Sequence, residues 1–172
     1  MVRATDASRL LAVLLLVSVA GGCATDVAAR HPADRAAIKA LVAREAVGMG
    51  VPVSLALAVA HAESNFDPAA ESHKGARGVM QIMPATAQSE YGIAADRLWE
   101  PRLNVRLGLH FLNRLVRQYR GRVDLALSHY NGGSRVGVWP NARVIPATAG
   151  YVSRVRELQR HYRTRLAQGR RI

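Results

Sequence analysis

A lone carboxylate at the end of an apolar run is the residue best placed to do chemistry. Leu55, Ala56, Leu57, Ala58, Val59 and Ala60 precede it, Glu63 follows, and Asn65, Asp67 and Pro68 then stop the helical pattern. A carboxyl there has little water around it, and desolvation favours the neutral acid. The negative end of the helix dipole disfavours its charge further. Both effects raise the pKa, and a carboxyl that keeps its proton near neutrality can protonate a leaving sugar oxygen. The plain alternative is a solvated Glu at a frayed helix end.

Most glycosidases use two carboxylates, one as acid and one as base or nucleophile. The nearest candidates here are Asp67, Glu71, Asp96 and Asp124. Asp67 precedes Pro68 and reads as a turn residue. Glu71 lies in a loop without apolar shielding. If Glu63 works alone, the substrate must supply the second function, and a neighbouring N-acetyl group can do so. Metal chemistry is not expected. His61-x-Glu63 and His73 are close, but the His-Glu-x-x-His spacing is missing. Gly75 and Gly78 lack the Lys-Ser/Thr ending of a phosphate loop, so no cofactor is expected either.

The elements that must position Glu63 are helical. Pro32 opens a pattern with Ile38, Leu41, Val42 and Ala46 on one face, and Gly48 to Gly50 breaks it. Pro52 opens the run leading to Glu63, which is apolar all round and so belongs inside a core. A loop follows from Ala69 to Gly78. Val79 to Met83 is apolar, and Pro84 starts a short helix. Asn104 is a plausible N-cap for a long helix with Val105, Gly108, Leu109, Leu112, Leu115, Val116 and Tyr119 on one face, stopped at Gly121. Val123 to Tyr130 reads as a short helix and Asn131 to Pro146 as a loop. Thr148 could cap the last helix, striped by Tyr151, Val152, Val155, Leu158, Tyr162 and Leu166, with Arg154, Arg156, Arg160, Arg163 and Arg165 largely outside the stripe. No period-two strand pattern is convincing.

The ends and the composition bound the setting. Arg3 and Arg9 precede an apolar run from Leu10 to Ala20, too short for a bilayer and right for a signal peptide. Ala20-Gly21-Gly22-Cys23 resembles a bacterial lipoprotein processing site, and Cys23 is the only cysteine. Residues 1–22 read as the signal, 23–31 as a tether, 32–167 as one catalytic domain and 168–172 as a basic tail. Ala24, rather than aspartate, after the cysteine points to the outer membrane, on its periplasmic face. The net charge is +12, with 24 Lys and Arg against 12 Asp and Glu. On an exported chain that charge suits an anionic envelope polymer. Nucleic acid is not expected, because aromatics for base stacking make up only 5% of the chain.

Several blocks in fixed order carry a resemblance. They are Glu63-Ser64, Phe66-x-Pro68, Ser72, Gly75-Ala76-x-Gly78-Val79-Met80-Gln81-Ile82-Met83-Pro84-x-Thr86-Ala87, Leu98-x-x-Pro101-x-x-Asn104-Val105-x-x-Gly108, Tyr130-Asn131-x-Gly133 and Thr148-x-x-Tyr151-Val152. Together they cover roughly residues 40 to 160. The chain resembles the catalytic domain of the soluble lytic transglycosylases, which implies a mostly α, single, goose-type lysozyme-like domain with a substrate cleft.

The resemblance implies cleavage of peptidoglycan between N-acetylmuramic acid and N-acetylglucosamine. Glu63 would act first as acid and then as base, closing a 1,6-anhydro ring without water. It implies that Tyr130 lies near the acid and the N-acetyl group, that Ser72 touches substrate, and that Gln81 and Met83 line the cleft. Ser64, Asn131 and Tyr151 carry over as substrate-binding residues, although Thr148, Tyr151 and Val152 can equally cap and pack the last helix. This sequence departs from the pattern at His129, Gly132 and Ala147, and Val79 replaces the commoner leucine. The rival readings are a lysozyme-type hydrolase on the same fold and a non-catalytic wall-binding module of a secretion apparatus.

Overall fold

The computed structural model describes residues 32–170. The expected signal and the whole tether, Cys23 included, therefore lie outside the described residues, as do Arg171 and Ile172 of the basic tail. Among the described residues six α-helices appear in the order α1 (Pro32–Gly48), α2 (Val53–Ser64), α3 (Pro84–Tyr91), α4 (Pro101–Gln118), α5 (Val123–Gly132) and α6 (Ala149–Ala167). Short 3-10 turns at Ala95–Trp99, Gly133–Val136 and Pro146–Thr148 link the later ones. None of the described helices is long and apolar enough to cross a membrane.

The all-round apolar run becomes the central helix. Leu55 through Ala60 are all buried in α2, which packs most extensively on α6 and also on α1. Alanine at 56, 58 and 60 lets those neighbours approach closely. Asn65 closes α2 in the left-handed region, its N–H donating to His61 O at 3.0 Å. Phe66 is left-handed too, at φ 64° without being glycine, and its ring is fully buried. Two successive strained residues just beyond Glu63 fix the direction in which the chain leaves it.

The loop after α2 is more ordered than its composition suggests. Isolated antiparallel bridges pair Glu71 with Arg77 and Arg77 with Ile82, folding the segment back on itself. Helix α4 begins at Pro101, three residues before the expected cap, because proline at the first turn needs no N–H partner. Asn104 is therefore not an N-cap. It is fully buried, its Oδ1 accepts from Met80 N–H at 2.8 Å, and its Nδ2 donates to Arg77 O at 2.8 Å and Leu98 O at 3.0 Å. One amide thus ties the loop to α4. Gly78 and Gly108 make room for this: a Cβ on Gly78 would sit 2.5 Å from Asn104 Nδ2, and one on Gly108 would sit 2.5 Å from Met80 Cβ.

Two further expectations are corrected. Asn131 is not in a loop but in the last turn of α5, and a 3-10 turn continues directly from Gly133. Thr148 makes no side-chain cap to α6. Its hydroxyl instead donates to Ile145 O at 2.9 Å and meets Ser128 Oγ at 2.7 Å, and Ser128 Oγ accepts from Ile145 N–H at 3.0 Å. This buried triangle fastens α5 to the start of α6. A Cβ on Gly132 would lie 2.7 Å from Thr148 Cγ2 and 2.8 Å from Ile145 Cδ1, which accounts for glycine there.

Candidate active site

Glu63 sits on the last turn of α2, with α6 laid across it. Its Oε1 accepts a hydrogen bond from Tyr151 Oη at 2.5 Å. Burial pushes the Glu63 carboxyl from an ordinary 4.5 up to about 7, against the opposing pull of the Tyr151 hydroxyl and the Arg154 charge. The shift is a preference of about 3 kcal/mol for the neutral acid. A carboxyl poised there can give its proton and recover it in one cycle.

Tyr151 is held well above its ordinary range by burial first and then by the nearby charges of Glu63 and Tyr130, so it remains a hydroxyl donor. Tyr130 is likewise raised, by burial first and then by the nearby charge of Glu63. Its hydroxyl, however, donates to Met80 O at 2.8 Å. The direct partner of the acid is therefore Tyr151, and sequence reasoning had given it only substrate binding or packing. The recoverable signal was the pair Tyr151 and Arg154, one turn apart on a helix that must cover α2.

No carboxylate pairs with Glu63 among the described residues, and each earlier candidate is otherwise placed. Asp67 Oδ1 accepts from Ala69 N–H at 2.9 Å in a turn. Glu71 pairs with Arg77 at 3.2 Å and Asp124 with Arg122 at 3.0 Å. Asp96 is exposed at the start of a 3-10 turn.

The other expected residues divide between fastening the loop after α2 and lining a separate groove. Ser64 Oγ donates to Val79 O at 2.9 Å and accepts from Asp67 N–H at 3.1 Å, so it stitches α2 to the following loop. Gln81 is left-handed at φ 48°, and its Nε2 donates to Gly78 O at 2.9 Å and Ala70 O at 3.0 Å. Ser72 Oγ accepts from Ala76 N–H at 3.0 Å and remains half-buried. Met83 and Asn131 are exposed and line a groove of about 580 Å³ whose wall includes the Tyr130 ring. Met80 and Ile82 are core, as their composition suggests, whereas Met83 is not. His61 Nδ1 meets Tyr162 Oη at 2.9 Å, which gives it a structural role at the α2–α6 contact.

The sequence and the helical fold both have known counterparts. The transglycosylase SLT domain model matches residues 40–142, and the chain belongs to that family. The soluble lytic murein transglycosylase of Escherichia coli K12 is 32% identical over 107 residues, covering 58% of this chain and 17% of that protein. Membrane-bound lytic murein transglycosylase C of Edwardsiella ictaluri is 32% identical over 109 residues, covering 55% of this chain and 30% of that protein. The structure of an inactive mutant of lytic transglycosylase Slt from Pseudomonas aeruginosa superposes with a TM-score of 0.64 at 30% identity, over 75% of this chain and 24% of that one. The chain thus spans less than a third of the length of each of these relatives.

Proposed function

We propose that this protein is a peptidoglycan lytic transglycosylase in which Glu63 is general acid and then general base. The observation that carries the reading is the Glu63 carboxyl, raised to about 7 and held by Tyr151 with no second carboxylate paired to it among the described residues. Neutral Glu63 gives its proton to the oxygen joining muramoyl C1 to the next N-acetylglucosamine, and the C1–O bond breaks. The muramoyl N-acetyl group, or a short-lived cation, holds the developing positive charge. The Glu63 carboxylate, stabilised by the Tyr151 hydroxyl, then takes the proton from the muramoyl C6 hydroxyl. That oxygen bonds to C1 and closes the 1,6-anhydro ring, and Glu63 ends neutral. No water is consumed.

A hydrolase on this fold would need a second group to activate water, and none is placed for it among the described residues. Ser72, Gln81, Met83, Tyr130 and Asn131 form or shape the cleft that receives the glycan strand. Residues 1–22 serve as a lipoprotein signal and Cys23 as the lipid attachment point. The enzyme then works in the periplasm from the membrane, with glycan strands as its partner. Digestion of purified peptidoglycan, with fragments weighed by mass spectrometry, tests the reading. Fragments one water lighter than hydrolysis products are expected, and fragments of full hydrolytic mass would replace the proposal with a lysozyme mechanism.

A further inference from the structure

The turn between α5 and α6 puts an apolar tip in solvent. Val138 is 78% exposed, and the partly buried Trp139 stands next to it. The tip is braced. Asn141 N–H donates to Val138 O at 3.0 Å and closes the turn, and Arg143 N–H donates to Val136 O at 2.9 Å across its base. Gly137 is left-handed at φ 83°; its N–H donates to Ser134 O at 3.0 Å and its carbonyl accepts from Tyr119 Oη at 3.0 Å. Val136 is buried with Leu115, Tyr119, Leu125 and Ala126, so the core holds the foot of the turn while Val138 stays outside it. The cleavage chemistry makes no use of this tip.

A single exposed valine is ordinary on a protein surface, and the charges around this one give it meaning. No Asp or Glu occurs between Asp124 and Glu157, while Arg135 and Arg143 flank the tip and are both exposed. The Arg120 guanidinium lies over the Trp139 ring, 5.9 Å from its centroid. None of these three arginines is in an ion pair among the described residues, whereas Arg97, Arg102, Arg114 and Arg122 each have a carboxylate partner. Such a set matches the boundary of an anionic bilayer. Guanidinium groups pair with phosphate oxygens, an indole favours the headgroup level, and an aliphatic side chain reaches the acyl chains. A sugar fits less well, because Trp139 already carries Arg120 over one face and packs on the core. A protein partner also fits less well, since one valine and part of an indole fall far short of the roughly 800 Å² that each side of a stable interface buries.

We propose that the turn at residues 136–143 docks on an anionic phospholipid surface, with Val138 entering the boundary between headgroups and acyl chains and Arg120, Arg135 and Arg143 meeting lipid phosphates. One valine and three arginines make a weak, reversible and salt-sensitive contact. It orients a domain that another device holds at the bilayer and does not anchor the chain alone. A lipid on Cys23, joined to α1 through residues 24–31, is such a device. The inference goes beyond the cleavage reading and does not depend on it.

The experiment uses the full-length chain with Trp99→Phe, which leaves Trp139 as the only tryptophan. The probes are vesicles of phosphatidylglycerol or of phosphatidylcholine whose brominated acyl chains quench an indole that reaches them. At low salt, phosphatidylglycerol should quench Trp139 and phosphatidylcholine far less, and added salt should reverse the effect. Arg135→Gln with Arg143→Gln should raise the lipid needed for half-quenching about twentyfold. Val138→Asp, at a position too exposed to disturb the core, should raise it about tenfold. Arg97→Gln with Arg117→Gln removes the same charge from other exposed sites and should change it less than about twofold. Equal quenching by the two lipids, no quenching by phosphatidylglycerol, or an unchanged midpoint in Val138→Asp would overturn the proposal. So would an equal loss in the two arginine pairs, which would show that net charge alone draws the chain to the vesicle. Failure of the cleavage reading shows separately, as the absence of anhydro products from the wild-type digest.

Discussion

Replacing Glu63 with glutamine should stabilise the fold while abolishing cleavage, and the stabilisation should depend on pH. The folded carboxyl titrates near 7 rather than at an ordinary 4.5, because burial disfavours its charge. Below about pH 4 both folded and unfolded chains hold this proton, and the site costs nothing. Between 4.5 and about 7 the folded state binds more protons than the unfolded chain, so this site's contribution to stability falls as pH rises. Above 7 the full penalty is in place. Its upper bound is about 3 kcal/mol from the size of the shift. Residual solvent access at Glu63 reduces that to about 2 kcal/mol. A neutral glutamine avoids the penalty and still offers an oxygen to the Tyr151 hydroxyl.

Thermal melts of both proteins at about pH 4 and pH 8 measure this directly. The Glu63→Gln protein should match the wild type at low pH and melt about 6 °C higher at pH 8, for a domain of this size. Other titrating groups are common to both proteins and cancel in the difference. A difference that does not change with pH, or a variant less stable at pH 8, would refute the claim that burial holds Glu63 neutral. Loss of activity alone would not distinguish a buried acid from an exposed one.

The remaining predictions test the surroundings of that group. Tyr151→Phe removes the hydroxyl that pulls the Glu63 pKa down, so the alkaline limb of the pH–rate profile should move up by about one unit, with a lower maximum; an unmoved limb would show that the bond does not persist in solution. Asn104→Ala leaves Met80 N–H and two backbone carbonyls without their partner in the interior and should cost about 3 kcal/mol in urea unfolding; a cost below about 1 kcal/mol would remove the amide as the tie between loop and α4. Cys23→Ser should release the protein from membranes into the soluble fraction, and a variant still sedimenting with membranes would end the lipid-anchor reading.

The order of the helices and the burial of α2 were legible because both rest on local rules. An all-apolar run must be enclosed, glycine and proline mark the breaks, and a three-and-four stripe marks the buried face of α4. Glu63 was legible as a candidate because it closes that enclosed run, although the burial that raises its pKa is completed only by α6. What stayed hidden depends on pairs far apart in sequence. Asn104 looks like a cap from its neighbours alone, and only the returning loop makes it a buried tie. Thr148 looks like a cap until Ser128 and Ile145 close on it. Tyr151 lies 88 residues from Glu63 and meets it only because α6 crosses the end of α2.

That crossing explains why the acid needs the whole domain. Helix α2 alone would leave Glu63 in water, where its pKa would be ordinary. Covering it with α6 excludes water and raises the pKa, and the same step brings Tyr151 to the carboxyl and Arg154 into range. Burial without those two groups would leave the carboxyl more reluctant still to ionise, and on the proposed mechanism it must hold a charge after proton transfer. The two groups without burial would keep it ionised and useless as a donor. The balance near 7 thus comes from one helix packing event acting in both directions. The buried Ser128–Thr148–Ile145 triangle, which sets where α6 begins, therefore positions the acid's partner as surely as any residue in the cleft.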